Sequence, residues 1–416
     1  MPHRSSRRCS WHPDGLRCRW AAPPGRLISA SGHDRQLGVA VIGAGPGGLS
    51  VGAELARRGV PAAIIDRAPT VGASWRGHYD RLHLHTVRWL SGLPGLTIPR
   101  RYGPWVGRDQ VIEYLESYAA HHGLDVRFQV TVERIDRDPA GWVLRTTAGD
   151  WPATAVVVAT GYNHTARLPD WPGSDGFTAK LAHAASYRNG RPYAGQDVLV
   201  VGAGNTGAEI AVDLVECGAS RVRIAVRTPP HVVRRSMHGV PTTLTSVATR
   251  HLPGSVMDPV AGWLGRMTVG DLSAYGLPEP PVGVYTRVRR EGQIPILDVG
   301  FIDAVRAGSV TVVAAVEAFD GPDVVLADGS RIRPDAVIAA TGYDRGLAPL
   351  VGHLGVLDPA GRPTVHGGRS HPSAPGLYFT GYTNPISGMF RELRLDARRI
   401  AREVARSERR GPIAPR

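Results

Sequence analysis

The stretch VAVIGAGPGG, residues 39–48, decides the fold, because a short apolar run is followed at once by a glycine-rich turn. An apolar run without alternation is typical of a strand that is buried on both faces of a parallel sheet. A helical pattern follows the turn, and a second apolar run, residues 62–65, ends in Asp66. This order of strand, glycine turn, helix, strand and acid predicts a unit that binds a dinucleotide.

The same order recurs about 160 residues later in the chain. The stretch DVLVVGAGNTG, residues 197–207, leads into a helical pattern, and the next strand pattern, residues 222–226, ends in Arg227. A second duplication accompanies the first, since VVVATGY at 156–162 is echoed by VIAATGY at 337–343. The sequence therefore predicts an α/β fold with two Rossmann-like dinucleotide-binding domains, of the glutathione-reductase-like flavoprotein type, with the second inserted into the first.

The glycines of each turn have separate physical roles. The first makes the tight turn, the second lets the backbone approach a pyrophosphate, and the third lets the helix pack closely on the strand. The N-terminus of the helix then stabilises the bound anion. The candidate cofactor-binding residues are Gly43, Gly45 and Gly48 in the first turn and Gly202, Gly204, Asn205 and Gly207 in the second.

The residues at the ends of the two second strands differ in charge. Asp66 can accept hydrogen bonds from ribose hydroxyls and would repel a 2′-phosphate, which favours FAD. Arg227 suits a 2′-phosphate, which favours NADPH over NADH. An ordinary solvated charge at a strand end is the alternative interpretation of both residues. We include Arg67, next to Asp66, in the predicted FAD site.

The two A-T-G-Y segments are interpreted as the places where the chain crosses between domains. A return to the FAD domain as early as about residue 290 stays open. The predicted division is a basic, disordered N-terminal extension over 1–36, an FAD-binding domain over 37–163 and 342–405, an NADPH-binding domain over 164–341, and a tail over 406–416.

Composition and charge exclude several classes of function. The net charge of +13 is concentrated at the ends, since residues 1–36 and 391–416 each carry +5, and only +3 remains for the body. The body has no basic stripe with interleaved aromatics, so we expect no nucleic-acid partner. No apolar run approaches the roughly 18 residues of a membrane helix, so we expect no membrane partner. The three cysteines form no C-x-x-C pair, which excludes a redox dithiol or zinc ribbon, and we expect a cytoplasmic protein.

Further motifs lie outside the glycine turns. They are SWR at 74–76, YDRLHLHT at 79–86, GDL at 270–272, PILDVG at 295–300 and GLYFTG at 376–381. With these motifs the chain resembles the class B flavin-dependent monooxygenases, most closely the YUCCA-like branch of the flavin-containing monooxygenases. The resemblance covers about residues 37–405. The motif F-x-G-x-x-x-H-x-x-x-(W/Y) that identifies the family matches Phe177, His183 and Tyr187, but Ala179 replaces its glycine.

The resemblance implies an oxidoreductase in which NADPH reduces FAD, and oxygen then adds to form a C4a-(hydro)peroxyflavin. One oxygen atom passes from it to a small organic substrate. The YUCCA-like motifs imply oxidative decarboxylation of an α-keto acid such as an indole pyruvate. N- or S-oxygenation and Baeyer–Villiger insertion remain open. Two alternatives also remain: an NADPH-dependent flavin oxidoreductase without oxygen insertion, and a nucleotide-sensing binding protein. A homodimer is an open option.

Four further residues complete the predicted site. Trp75 is interpreted as a flavin contact, with a buried core tryptophan as the alternative. Gly381 makes a turn before a helix predicted from about Gly388 to Ala405, whose positive N-terminal end would face the flavin. Asn384 could donate a hydrogen bond near the flavin or cap a loop, and we take Asn384 and His85 as the candidate catalytic residues.

Other local predictions concern structure rather than chemistry. His83 and His85 alternate along a predicted strand, and packing near the flavin is favoured over a metal pair because no third ligand has a suitable spacing. A helix is predicted from Asp109 to His122 with Asp109 as N-cap. Residues 229–296 are predicted to be irregular and to form part of the substrate pocket. Cys217 is expected to be an inert buried thiol.

Overall fold

Two sheets with parallel central strands, each with one of the glycine turns at its centre, organise the chain in the computed structural model. The structure describes residues 9–12, 15–18, 37–237, 239–249 and 252–410. Within residues 1–36, Cys9–His12 pairs antiparallel with Gly15–Cys18. The rest of this predicted disordered extension lies outside the described residues.

The first sheet has seven strands and contains the first glycine turn. The order of its main path is Val126–Arg127, Ala62–Ile65, Leu37–Ile42, Gly149–Val158, Gly141–Thr146 and Val132–Asp138, and Leu377–Phe379 pairs parallel with the end of Gly149–Val158. The central strands are parallel, and Val39, Ala40 and Val41 are fully buried, as the unbroken apolar run predicts.

The second sheet is parallel throughout and contains the second glycine turn. Its strand order is Lys180–His183, Ala336–Ala339, Asp197–Val201, Arg221–Val226 and Val310–Ala314. A small antiparallel sheet follows it, with strands Val316–Asp320, Asp323–Leu326 and Arg331–Ile332. In both parallel sheets, the glycine-turn strand lies between the strand that ends in the charged residue and the A-T-G-Y strand, so the predicted duplication and the α/β fold are confirmed.

Helices cover both sheets. The two that follow the glycine turns are Pro46–Ala56 and Asn205–Glu216, here called the first and second turn helices. The other α-helices are Ala73–Gly77, Arg108–His121, Thr242–Thr249, Gly254–Thr268, Val284–Glu291, Phe301–Arg306, Ala348–Val351 and Met389–Arg410. Single 3-10 turns occupy Arg88–Leu90, Arg100–Tyr102, Ser174–Gly176, Ala184–Ser186, Arg191–Tyr193, Ser273–Tyr275 and Gly352–Leu354.

The crossings between the two sheets lie side by side. Thr165–Ala166, just after the first A-T-G-Y segment, pairs antiparallel with Tyr343–Asp344 at the second. His183 Nε2 bonds to the Gly342 carbonyl at 3.0 Å, so this motif histidine connects to the crossing. We call the residues around the first sheet the flavin half and those around the second sheet the nucleotide half. The domain boundaries themselves stay a prediction.

The prediction for residues 229–296 is wrong in part, because three of the helices lie there. Short strand pairs accompany them: Val232–Arg234 with Ile296–Asp298, and Ser236–Met237 with Val240–Pro241. The helix Gly254–Thr268 contains Pro259 and leaves large apolar side chains exposed, among them Trp263 at 55% and Met267 at 70%. A proline and an apolar solvent face both weaken the helical pattern in the sequence.

Three helix or strand predictions also need correction. The helix predicted from Asp109 has Gly107 as its N-cap, whose amide donates to Gln110 Oε1 at 3.0 Å, while Asp109 is held by Arg108. The last helix extends to Arg410 and so includes part of the predicted tail, with an Arg406–Glu403 ion pair at 2.8 Å in the added turn. The segment with His83 and His85 is not a strand, since it makes a single bridge at His83.

Candidate functional site

One cavity of about 1270 Å³ extends from the first glycine turn to the second turn helix. A pocket at the carboxyl ends of parallel strands is the usual ligand site of such sheets. The cavity brings together nine of the predicted site residues: Gly43, Gly45, Asp66, Arg67, Trp75, His85, Asn205, Gly381 and Asn384. It does not include Gly48, Gly202, Gly204, Gly207 or Arg227 among its lining residues.

The two glycine turns have nearly the same geometry. Gly43 and Gly202 have φ angles of +110° and +109°, and a Cβ on either would meet a backbone carbonyl of the neighbouring A-T-G-Y strand. A Cβ on Gly48 would lie 1.8 Å from the Gly43 oxygen, and one on Gly207 would lie 1.9 Å from the Gly202 oxygen. These glycines make the turn and allow the close helix packing.

The middle glycine of each turn faces open space. A Cβ on Gly45 or Gly204 would meet no atom within 4 Å, so each backbone is accessible to a ligand from that side. Both glycines are helix N-caps without a side-chain cap. The first-turn amides remain available to an anion, beginning at Gly47 in the first helix because Pro46 has no N–H, and at Asn205 in the second. The residues present therefore fit a pyrophosphate at each turn.

Asp66 is positioned by the backbone around it. Its Oδ2 accepts from the Ala44 amide at 2.6 Å and its Oδ1 accepts from the Ala68 amide at 2.8 Å. Each carboxylate oxygen keeps a lone pair for a further donor. Because Asp66 lines the cavity beside the first turn, it is placed to accept from a ribose hydroxyl. Arg67 lines the same part of the cavity and is exposed.

The side chain of Asn205 has a structural task. Its Nδ2 donates to the Pro295 carbonyl at 3.0 Å, and its Oδ1 accepts from the Leu297 amide at 2.8 Å. These bonds connect the start of the second turn helix to the strand Ile296–Asp298. The backbone amide of Asn205 and the second N–H of its Nδ2 are left for a phosphate. Arg227, at the end of its strand, is exposed and has no hydrogen bond or ion pair to another described residue.

Trp75 packs on the last helix and lines the cavity. Its ring meets Phe390 edge to face with centroids 5.8 Å apart, and it is partly buried against the core of the flavin half. Trp75 therefore borders both the core and the cavity, and its contact with the flavin stays a prediction. Asn384 Nδ2 donates to the Gly292 carbonyl at 3.1 Å, which ties the loop before the last helix to the end of Val284–Glu291.

His85 lies in a buried polar cluster that sequence reasoning missed. Its Nε2 is 2.6 Å from Glu209 Oε1, and the Tyr79 hydroxyl donates to Glu209 Oε2 at 3.1 Å. Burial and the adjacent carboxylate raise the pKa of Tyr79 well above its usual value, so the phenol stays protonated and donates. His83 is exposed, and its Nδ1 contacts the Arg81 carbonyl at 2.6 Å.

Two other residues are singled out in the sequence, Cys217 and the motif residue Phe177. Cys217 follows the second turn helix as its C-cap and is partly exposed, so the prediction of a buried thiol is wrong. In the family motif, Phe177 packs edge to face on Phe319 with centroids 4.8 Å apart. The described helices include none with the length and apolarity that a bilayer crossing requires.

Comparison with known proteins identifies the family to which this chain belongs. The pyridine nucleotide-disulphide oxidoreductase family matches residues 40–249. Indole-3-pyruvate monooxygenase YUCCA1 of Oryza sativa subsp. japonica is 36% identical over 352 residues, which are 83% of this chain and 86% of that protein. The chain is a class B flavin monooxygenase of the YUCCA-like branch. Its FAD and NADPH dependence and the transfer of one oxygen atom to a small substrate follow from this membership.

Solved structures share the fold of this flavin monooxygenase. A flavin-containing monooxygenase from Stenotrophomonas maltophilia is 25% identical, with a TM-score of 0.66 over 88% of this chain and 98% of that chain. Cyclohexanone monooxygenase from Rhodococcus sp. Phi1 bound to NADP⁺ is 20% identical, with a TM-score of 0.68 over 90% of this chain and 85% of that chain. The second likeness concerns the fold alone.

Proposed function

We propose that this flavin monooxygenase decarboxylates a small α-keto acid oxidatively, with an indole pyruvate as the first substrate to test. The observation that carries the proposal is the single cavity that connects the first glycine turn, the second turn helix and an apolar pocket. In the balanced reaction, the keto acid, O₂, NADPH and a proton give a carboxylic acid with one carbon fewer, CO₂, water and NADP⁺. The name of the rice relative, an indole-3-pyruvate monooxygenase, supports this substrate class.

The substrate side of the cavity comes from the helices between 242 and 291. Its apolar lining includes the buried Leu272, Leu277 and Tyr285 together with Met257, whereas Val260 and Leu264, which also line it, are exposed. The buried part of this lining suits a flat aromatic side chain. Asn205 bonds to the backbone of Pro295 and Leu297, and Asn384 bonds to that of Gly292, so both connect the segment that follows these helices to the cofactor-binding elements.

The cofactor contacts are part of the same proposal. FAD, which supplies the oxygen activation when bound, would be held by Gly43, Gly45, Asp66, Arg67, Trp75 and Gly381, with Gly48 allowing the helix to pack. NADPH would be held by Gly202, Gly204, Gly207 and the Asn205 backbone, with Arg227 on the 2′-phosphate. The free N–H and Oδ1 of Asn384 remain for the cofactor. In this proposal, His85 lies beside the cofactors, and its Nε2 is bonded to Glu209.

Oxygen-18 labelling tests the reaction. The enzyme is supplied with ¹⁸O₂, NADPH and a panel of keto acids, amines, thioethers and ketones, and the products are analysed by mass spectrometry. We expect one ¹⁸O atom in the shortened acid from an aromatic keto acid, with one NADPH consumed for each CO₂ released. Hydrogen peroxide without any labelled product would favour the flavin oxidoreductase alternative. A labelled ester from a ketone would favour Baeyer–Villiger insertion.

The oligomeric state and cellular location stay predictions. The cysteine pattern of the sequence supports a cytoplasmic location, and cell fractionation tests it. A homodimer is tested by light scattering of the purified holoenzyme.

A further inference from the structure

Glu209 is a buried carboxylate in the second turn helix whose partners come from the flavin half. Its exposed fraction is 4%, and both of its oxygens are bonded, Oε2 by the Tyr79 hydroxyl and Oε1 by His85 Nε2. A buried carboxylate is costly unless it is paired and hydrogen-bonded. The partners lie 130 and 124 residues earlier in the chain, so this cluster depends on how the two halves meet.

The segment 76–85, here called the strap, carries these partners into the nucleotide half. Tyr79 is buried within the core of that half, where its ring meets Tyr187 with centroids 6.4 Å apart. Leu82 packs against the same core. The strap of the flavin half is therefore packed into the core of the nucleotide half, next to the second turn helix, and does not merely contact its surface.

Other contacts of the strap are more exposed. Arg81 pairs with Glu216 at 2.8 Å, and Asn189 Nδ2 donates to Asp80 Oδ2 at 2.7 Å. Exposed pairs of this kind contribute little and are screened by salt. Loss of the Glu209 contact would leave the buried Tyr79 hydroxyl without this partner, so we expect Glu209 to influence the position of the helix more than these exposed pairs do.

The position of Glu209 in its helix connects this contact with the chemistry. Asn205 and Thr206, one turn before it, line the cavity, and Tyr79 and His85 line it as well. A shift of the helix moves the phosphate-binding N-terminus and with it the nicotinamide. Hydride transfer needs near-contact geometry, and an error of about 1 Å costs on the order of a hundredfold in rate.

We propose that Glu209 is a positioning residue, which acts through Tyr79 and His85 to hold the NADPH-binding helix at the distance that hydride transfer to the flavin requires. The proposal rests on the assignment of NADPH to the second glycine turn. It predicts a variant that binds both cofactors but transfers the hydride slowly.

The test uses Glu209→Gln in the holoenzyme, because glutamine has nearly the same shape and can still accept from Tyr79. Anaerobic stopped-flow mixing with NADPH measures the rate of flavin reduction, and the change in the flavin spectrum on NADP⁺ addition measures nucleotide binding. We expect the reduction rate to fall by about tenfold to a hundredfold, while the Kd for NADP⁺ stays within about threefold.

Asp213→Asn is the matched control, since Asp213 is also buried and lies one turn later in the same helix. Asp213 accepts from the Tyr187 hydroxyl at 2.5 Å and the Gly190 amide at 2.9 Å, both within the nucleotide half. We expect Asp213→Asn to lower the melting temperature and leave the reduction rate within about twofold. Equal rate losses in the two variants, in proportion to lost stability, would overturn the proposal.

Tyr79→Phe provides a second variant in case Glu209→Gln does not retain FAD. It removes the hydroxyl that bonds to Glu209 and interacts with Thr206, and it keeps the buried ring. We expect a smaller fall in reduction rate with unchanged NADP⁺ binding. A wild-type rate in whichever variant retains FAD contradicts the positioning role. Wild-type enzyme that binds FAD but is not reduced by NADPH would instead contradict the proposed function itself.

Discussion

The two turn helices differ most clearly at the position seven residues after the first glycine of each turn. In the first helix this position is Ser50, whose hydroxyl donates to the Pro46 carbonyl at 2.6 Å and so stays within its own helix. In the second helix it is Glu209, which binds the strap of the opposite half. At this position the first turn helix therefore bonds only within itself, whereas the second turn helix bonds to the other half.

The position eleven residues after the first glycine shows the reverse. Glu54 of the first helix pairs with Arg57 and Arg58 and lies 3.6 Å from Arg398 of the last helix, while Asp213 of the second helix bonds only within the nucleotide half. Each helix thus uses a different position for contact with a distant element. The two turns share their backbone geometry, whereas these divergent positions make different contacts with distant elements.

The largest effect is expected when the third glycine of a turn is replaced. In Gly48→Ala or Gly207→Ala the new Cβ would overlap a carbonyl oxygen of the same turn, which costs about 3 kcal/mol of unfolding free energy. We expect Gly48→Ala to lose FAD, and Gly207→Ala to keep the yellow colour but lose reduction by NADPH. Flavin absorbance and NADPH oxidation rates measure the two outcomes.

The middle glycines provide the control for this experiment. A Cβ on Gly45 or Gly204 meets nothing in the protein, so Gly45→Ala and Gly204→Ala should keep the melting temperature within a few degrees. Each should still weaken its own cofactor, because the methyl group projects toward the ligand. Unchanged cofactor binding in Gly48→Ala would show that the two turns do not work as described.

Arg227→Ala tests the charge difference between the two sites. Loss of a charge-assisted hydrogen bond to a 2′-phosphate is expected to raise the KM for NADPH by about tenfold to a hundredfold and to leave the KM for NADH nearly unchanged. Arg221→Ala, at the other end of the same strand, is the control. Equal effects on both nucleotides would mean that Arg227 does not contact the 2′-phosphate.

The burial of Asp396 in the last helix predicts a pH dependence of the protein's stability. Burial raises the pKa of this carboxyl to about 6, with the charge of Glu392 adding to the effect and Arg399 opposing it. A pKa above the unfolded value means that stability is greatest at low pH and falls as the pH rises through about 6. Asp396→Asn is therefore expected to stabilise the protein by about 2 kcal/mol at pH 8 and by little at pH 4, measured by denaturant unfolding.

Asp66→Asn is expected to have the smallest effect of the four. The amide replaces one acceptor oxygen with a donor, so one of the bonds from Ala44 and Ala68 is lost together with the charge. FAD affinity should fall by about tenfold, since one hydrogen bond contributes roughly 1 kcal/mol. Fluorescence titration of apoprotein with FAD measures the change, and NADP⁺ binding should be unaffected. An equal loss for both cofactors would point to a general loss of folding.

Local patterns in the sequence were sufficient for the parallel sheets and the two turns. A strand buried on both faces, three glycines with fixed steric roles and a charged strand end all lie within about 30 residues, and each leaves its mark in the residue types. The helices between 242 and 291 were missed because tertiary contacts stabilise them against a weak pattern. Asp258, for example, accepts from the amides of Tyr285 and Thr286 and so holds the start of the next helix.

Contacts between distant segments explain the other misses. The role of Glu209 depends on Tyr79 and His85, and no periodicity relates residues so far apart. An acid in the middle of an apolar helical face was the available signal, since burial predicts that such a residue has a partner. The sequence predicts Asn205 as a cofactor-binding residue from its position in the motif, whereas the bonds of its side chain to Pro295 and Leu297 leave no local signal.

The paired crossings Thr165–Ala166 and Tyr343–Asp344 have a consequence for how such enzymes can change. Because the chain enters and leaves the nucleotide half at one place, the whole half behaves as an insertion with a single stem. A related segment with the same pair of crossing strands could replace it without changing the strand order of the first sheet. The strap of the flavin half would then have to fit the new nucleotide half. Coenzyme preference could therefore evolve by replacement of the nucleotide half and substitution of a few buried residues at the strap.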